Sequence, residues 1–207
     1  MLRKFGENEQ KSLLILAWDG PAELVEAQRR LCLETCGKFR AKDLGPEVGE
    51  HWYGNRFDVT ALREGVRKPG GIADTIEVSM LWRDVVAVYE AVTNALSRYT
   101  PEVLAHFSHV YPSGTSLYAI FFSEAGSDEE AEDLYFRAWN DVMDAALSCG
   151  ASMSHHHGVG IIRVPWMERE HGEGLRVLRA IKDALDPAGV LNPGKLLPSR
   201  TEDRSGG

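Results

Sequence analysis

The sequence predicts an α+β fold, a ferredoxin-like antiparallel sheet with helices on one face, followed by a C-terminal helical return segment. Three observations predict it. Residues 75–82 alternate, with Ile76, Val78 and Met80 set against Thr75, Glu77 and Ser79, as in a strand with two unlike faces. Two apolar runs, 103–111 and 115–123, are split by Pro112-Ser113-Gly114, which is hairpin chemistry. Helical stretches at 82–99 and 128–149 each follow a strand, and this order of elements suits an open sheet covered on one side.

In chain order, Ser12-Leu13-Leu14-Ile15-Leu16-Ala17-Trp18 is an apolar run of strand length. Asp19-Gly20-Pro21 turns it into a helix that opens near Pro21, carries Leu24, Ala27, Leu31 and Leu33 on its apolar side, and ends at Gly37. Residues 38–71 read as a long connection with short helical pieces, holding His51, Trp52, Tyr53, Arg56, Phe57, Arg63, Arg67 and Lys68. Connections of this length usually work or are covered by something. Pro101 stops the 82–99 helix, because it has no N–H to give and its ring blocks the preceding turn. Ser127 caps the next helix, and Asp128, Glu129 and Glu130 complement its positive end; Gly150 closes it. A short helix is expected at 164–171. A second, at 173–185, carries Leu175, Leu178, Ile181 and Leu185 on one face and is stopped by Asp186-Pro187-Ala188-Gly189. Residues 190–197 read as extended, and the polar tail 198–207 as disordered.

Charge and composition narrow the function. A net charge of −8 argues against a general nucleic-acid surface. Hydrophobic residues make up 43% of the chain, enough for a packed core, yet no run is long enough to cross a bilayer. The first residues, MLRKFGENEQK, lack the apolar centre of a secretion signal, so a cytoplasmic location is expected. Cys32, Cys36 and Cys149 read as reduced thiols, since the first two lack a second pair to complete a zinc site. Arg56, Arg63, Arg67 and Lys68 read as a solvated basic face, with substrate steering as the sharper alternative.

The densest chemistry lies in Ser154-His155-His156-His157-Gly158-Val159-Gly160. On an extended chain His155 and His157 point to one side and His156 to the other. Crowded imidazolium groups repel, so at least one ring is expected to be neutral near pH 7 and able to accept a proton. No metal site is expected here, because adjacent extended residues diverge and no carboxylate–cysteine set completes a coordination sphere.

This histidine stretch, together with Leu185-Asp186-Pro187-Ala188-Gly189-Val190-Leu191-Asn192-Pro193-Gly194-Lys195, resembles the C-terminal half of the FAD-linked oxidase family, the vanillyl-alcohol-oxidase type of flavoprotein. Within it the chain is most similar to alkyldihydroxyacetonephosphate synthase and its bacterial relatives. The triple histidine stands where members that oxidise D-lactate or glycolate carry Gly-Glu-His. The hairpin Phe107-Ser108-His109-Val110-Tyr111-Pro112-Ser113-Gly114-Thr115-Ser116-Leu117-Tyr118 also resembles the synthase-like members.

The resemblance implies a division of the chain. Residues 1–153 would be a cap (substrate) domain, and 154–197 a histidine loop and helical segment packing on an FAD-binding domain. The glycine-rich phosphate loop of that domain has no match here, so FAD would be bound mostly outside this chain, by a domain of the same or a partner chain. A small-molecule or lipid-like substrate is implied, and an apolar docking face would permit homo-oligomers. The implied activity is exchange of an acyl for an alkyl group on dihydroxyacetone phosphate, a step of ether-lipid synthesis without net redox change. An FAD-dependent oxidase or dehydrogenase of an alcohol or 2-hydroxy acid is the alternative, and a non-catalytic ferredoxin-like binding module a third. Carried over by position, His156 would be a general base beside the flavin, with His155 and His157 orienting substrate or ring. Tyr118 matches the family's catalytic tyrosine, with Tyr111 a weaker substrate-side candidate. His106 stands where the synthases place an arginine for substrate phosphate; this departure weakens the case for a phosphorylated substrate, because imidazole holds phosphate less firmly than a bidentate guanidinium. His109 is placed to share that role. Asn192, Gly194 and Lys195 match a C-terminal motif that returns to the flavin.

Overall fold

The computed structural model describes residues 12–198. The chain falls into two compact units, Met1–Val59 and Thr60–Gly207. Of the tail expected at 198–207, residues 199–207 lie outside the described residues.

In the first unit the expected strand does not form. Residues 12–18 form no regular element and pair with no strand among the described residues, and Leu13, Leu14 and Leu16 stay exposed. A strand needs a partner for its backbone groups, and the other described elements of this unit are helices. Helix α1 (Ala22–Lys38) follows Pro21 as expected and runs one residue past Gly37. Helix α2 (Glu47–Asn55) is one of the anticipated helical pieces. Leu13 and Ile15 line a hollow with Val48, His51 and Trp52 of this helix. Cys32 and Cys36 are free thiols, as is Cys149 of the second unit; all three are half-buried.

The second unit holds the predicted sheet. Helix α3 (Thr60–Arg67) leads into β1 (Gly71–Leu81). A 3-10 turn at Trp82–Asp84 then opens α4 (Val85–Leu96). Strands β2 (Val103–Ser108) and β3 (Gly114–Glu124) form the hairpin, and α5 (Asp128–Ser148) follows with Glu130 N–H donating to the Ser127 cap at 3.2 Å. Strand order is β1-β3-β2, and both pairings are antiparallel. Strand β1 starts four residues earlier than the alternation suggested, because β3 is long enough to pair Gly71 with Glu124. Gly114 opens β3 where it crosses the end of β1. A Cβ there would sit 2.0 Å from the Met80 carbonyl oxygen, so only glycine fits.

The pleat sorts the sheet into two faces. One carries Ile72, Ile76, Val78 and Met80 of β1 with Leu117, Ala119 and Phe121 of β3, all buried. Val88, Val92 and Leu96 of α4 and Trp139, Val142 and Met143 of α5 belong to the same buried core. Each large side chain buried there contributes about 1.5–3 kcal/mol. That sum decides which face the helices cover. The other face presents Thr75, Glu77, Ser79, Tyr118 and His106, with Leu81, Leu104 and Phe122 left exposed among them.

After α5, Ser152 joins the free edge of β1. Ser79 N–H donates to Ser152 O at 3.1 Å and Ser152 N–H to Ser79 O at 2.8 Å. Helices α6 (Met167–His171) and α7 (Gly174–Leu185) follow where expected. The stripe foreseen on α7 is divided: Leu175 and Leu178 pack on the core, whereas Ile181 and Leu185 are exposed. Asp186 ends the helix by accepting from Val190 N–H at 3.0 Å, Leu191 N–H at 2.9 Å and the Lys182 ammonium. Among the described residues no helix is long and apolar enough to cross a membrane.

Candidate active site

The site begins with register. Glu77 of β1 and His106 of β2 both stand opposite Tyr118 of β3, so the three share one row across the open face. Residues so paired have Cβ atoms about 5 Å apart, within reach of aromatic rings. The His106 and Tyr118 rings lie 5.7 Å apart.

The Ser79–Ser152 bridge then carries the histidine loop over Glu77. Glu77 is 0% exposed. Its Oε2 accepts from the Ser154 hydroxyl at 3.1 Å, and its Oε1 from the amide N–H groups of His155 at 3.0 Å and His156 at 3.3 Å. The Nδ1 of His156 lies 3.2 Å from the same Oε1. Burial pushes this carboxyl up, but the two amides, the Ser154 hydroxyl and the nearby His157 outweigh it and hold it below its usual value. Glu77 is therefore an anion folded into the base of the loop.

Arg163 closes the loop from behind. It is buried, and its guanidinium donates to Met153 O at 2.9 Å, Gly158 O at 3.2 Å and Glu77 O at 3.2 Å. One planar fork thus ties both ends of the loop to β1. Gly158 and Gly160 have positive φ, 75° and 58°, and turn the chain back.

These anchors gather the imidazoles instead of spreading them. The loop is bent, not extended, so the expected divergence of His155 and His156 is overturned: their Nδ1 atoms are 3.1 Å apart. The His156 Nε2 lies 2.6 Å from the Tyr118 hydroxyl. His157 stacks on Tyr118 at 5.3 Å, and partial burial lowers its pKa, Glu77 opposing. Burial also raises the Tyr118 phenol; Ser108 lowers it and Glu77 raises it.

His109, at the turn after β2, adopts φ 53° and brings its ring 4.3 Å from His156 and 5.2 Å from His155. One nitrogen each from His109, His155 and His156 lies within 4.8 Å of the others. Divergence therefore no longer argues against an ion. Hydrogen bonds account for the gathering without one: His156 meets Glu77 and Tyr118, and His109 Nδ1 meets the Ser108 and Ser116 hydroxyls at 3.0 and 3.4 Å.

Of the residues singled out in the sequence, His155, His156, His157, Tyr118, His106 and His109 therefore come together. Tyr111 joins them, its ring 5.4 Å from His155. Asn192, Gly194 and Lys195 form their own turn, in which Lys195 N–H donates to Asn192 O at 3.3 Å. Arg56 is in the first unit, with its guanidinium 3.6 Å over the Tyr53 ring, while Arg63, Arg67 and Lys68 are exposed. Sequence reasoning missed Glu77 and Arg163. Glu77 sits at an outward position of an alternating strand, where a carboxylate ordinarily meets water.

An open α+β sheet face here carries a tyrosine, a cluster of histidines on one loop and a buried carboxylate, gathered on one side of the layer. The chain belongs to the FAD linked oxidases, C-terminal domain family, whose profile matches residues 2–196. Alkyldihydroxyacetonephosphate synthase of Trypanosoma brucei brucei is 30% identical over 200 residues, 93% of this chain and 32% of that protein. An uncharacterised FAD-linked oxidoreductase of Escherichia coli, YgcU, is 28% identical over 202 residues, 91% of this chain and 42% of that protein. A solved structure of alkyldihydroxyacetonephosphate synthase aligns over 86% of this chain and 30% of its own, with TM-score 0.60 and 24% identity, a likeness of fold. The chain spans between about a third and two fifths of the curated relatives it matches.

Proposed function

We propose that this chain is the substrate-side, C-terminal part of an FAD-dependent enzyme that works like alkyldihydroxyacetonephosphate synthase. The observation that carries this reading is the 2.6 Å contact between Tyr118 and His156 on the open sheet face, with Glu77 behind it. A phenol hydrogen-bonded to an imidazole takes up and passes on a proton near neutral pH.

The residues present suit one half of FAD. Tyr118, His106, His109 and Tyr111 offer flat rings on an exposed face, which a planar isoalloxazine ring can cover. The sequence offers no glycine-rich loop for the pyrophosphate, so a separate FAD-binding domain is proposed to hold it. Asn192, Gly194 and Lys195 are proposed to meet that domain, with the exposed Lys195 beside an anionic group. When bound, the flavin supplies an electron acceptor and an electrophile. The chain's own residues do the rest. Tyr118 and His156 remove a proton from the substrate carbon, and His155 and His157 hold the substrate over them. His106, backed by His109, faces the substrate's anionic group in place of arginine. In this proposal residues 1–153 form the cap and 154–197 the return segment.

The second reading, oxidation of an alcohol or hydroxy acid, draws on His106, because imidazole suits a carboxylate or hydroxyl as well as a phosphate. A third of the chain also matches D-lactate dehydrogenases, at 37% identity over 73 residues in one case.

The test uses the longest natural form of the protein. It is expected to be yellow and to replace the acyl group of acyl-dihydroxyacetone phosphate with a fatty alcohol, without net anaerobic bleaching. Bleaching by a hydroxy acid without exchange would favour the oxidase, and a colourless, inactive full-length protein would favour a binding module.

A further inference from the structure

We infer that Glu77 is a positioning residue that fixes the tautomer of His156, making Glu77, His156 and Tyr118 one carboxylate–imidazole–phenol relay. The inference rests on the proposed role of Tyr118 and His156 and adds the group that directs them.

The geometry runs in a line. Glu77 Oε1 lies 3.2 Å from His156 Nδ1, and His156 Nε2 lies 2.6 Å from the Tyr118 hydroxyl. Glu77 is fully buried and anionic, so it can only accept. The proton of a neutral His156 therefore belongs on Nδ1, facing the carboxylate, and Nε2 is left with its lone pair toward Tyr118. The phenol then donates its O–H to Nε2. His155 Nδ1, at 3.1 Å, is the rival acceptor for the same Nδ1 proton, but a carboxylate is roughly twice as strong an acceptor as a neutral nitrogen.

The consequence is a defined proton path. A substrate proton moves to the Tyr118 oxygen as the phenol proton moves to His156 Nε2. The imidazolium so formed stays paired with the Glu77 carboxylate, which is not itself protonated; in the serine-protease triad an aspartate serves its histidine in the same way. Around the ring stand Glu77 on β1, Tyr118 on β3, His109 at the hairpin turn and His155 and His157 on its own loop. Arg163 lies behind them, bound to the Glu77 carbonyl.

Glu77→Gln separates this role from mere anchoring of the loop. The amide oxygen can keep the place of Oε1, facing the His155 and His156 amides and the His156 ring, while its NH2 group faces the Ser154 hydroxyl, which can accept; the His155 N–H gives up its second contact, 3.1 Å to Oε2, and keeps the one to the oxygen. The loop is thus retained and the charge removed. The experiment is 15N-resolved NMR of the imidazole protons in the 207-residue chain, which needs no flavin and so stands or falls apart from the activity. The expected result is a slowly exchanging, downfield His156 proton correlated with Nδ1. It should move upfield in Glu77→Gln and stay on Nδ1 in Tyr118→Phe. The backbone amides of His155 and His156, read in the same samples, report whether the loop is intact; should Glu77→Gln lose it, the wild-type tautomer and the Tyr118→Phe spectrum decide. A wild-type proton on Nε2, a resonance indifferent to Glu77→Gln with the loop intact, or one that responds to His155→Asn instead, would overturn the inference.

Discussion

Strand β1 carries two carboxylates three residues apart, Asp74 and Glu77, and the pleat sends them to opposite faces. Asp74 points among the helices. Its Oδ2 accepts from the Tyr135 hydroxyl at 2.7 Å and the Trp139 indole N–H at 3.0 Å. Glu77 points to the open face and accepts from a loop of histidines. Both have their oxygens engaged by donors, as a carboxylate shielded from water must. They differ in what the donors can do next. The Asp74 donors belong to a fixed helix, and Tyr135 is held far above the usual phenol range by burial and by Asp74. The Glu77 donors include an imidazole whose other nitrogen meets a second titratable group on the exposed side. A buried carboxylate becomes part of a reactive site only when its partner can hand a proton onward. Arg163 joins the two regions, donating to the Glu77 carbonyl and lying 4.8 Å over the Trp139 ring.

Arg163→Met is the strongest way to break the comparison, because it touches both regions. It leaves the buried carbonyls of Met153 and Glu77, and the more exposed one of Gly158, without their donor. We expect a loss of about 3–4 kcal/mol in urea unfolding, from the usual cost of unsatisfied buried groups. A loss under about 1 kcal/mol would mean that the loop is held some other way. Asp74→Asn is milder. An amide oxygen can still accept from Tyr135 and Trp139, but its NH2 group then faces the Thr75 N–H that Oδ1 now accepts at 2.7 Å. The expected cost is about 1–2 kcal/mol, with the His156 ring-proton resonance unmoved. If Asp74→Asn shifted that resonance as Glu77→Gln is expected to, the two faces would not be independent.

Much of this was legible in the sequence because it is local. Alternation placed β1, Pro112-Ser113-Gly114 marked the hairpin, and Ser127 announced α5. The histidines and Tyr118 were legible as chemistry, and the structure brings them together. Glu77 and Arg163 were not, because their roles depend on contacts 78 and 86 residues away in the chain. Alternation makes Glu77 look solvated; only the loop folding onto it turns it into a buried acceptor. Residues 12–18 show the converse. A strand-like composition did not become a strand: among the described residues, 12–18 pair with none.

The smallest expected effect is a dependence on pH that separates two members of the histidine site. Partial burial lowers the pKa of His157 from 6.5, so the unfolded chain takes up that proton first on acidification. Stability is complete above the unfolded value and begins to fall as pH drops through 6.5. Glu77 is lowered from 4.5, so its contribution is present above that value and is lost as pH falls through its folded pKa. Urea midpoints measured from pH 8 down to pH 3 should therefore decline in two steps, the upper one shallow because the His157 residue remains exposed. In His157→Gln the upper step should vanish and the lower one remain; in Glu77→Gln the lower should weaken. A single decline below pH 4.5, unchanged by His157→Gln, would mean that the His157 ring keeps its water and that Tyr118 does not shield it.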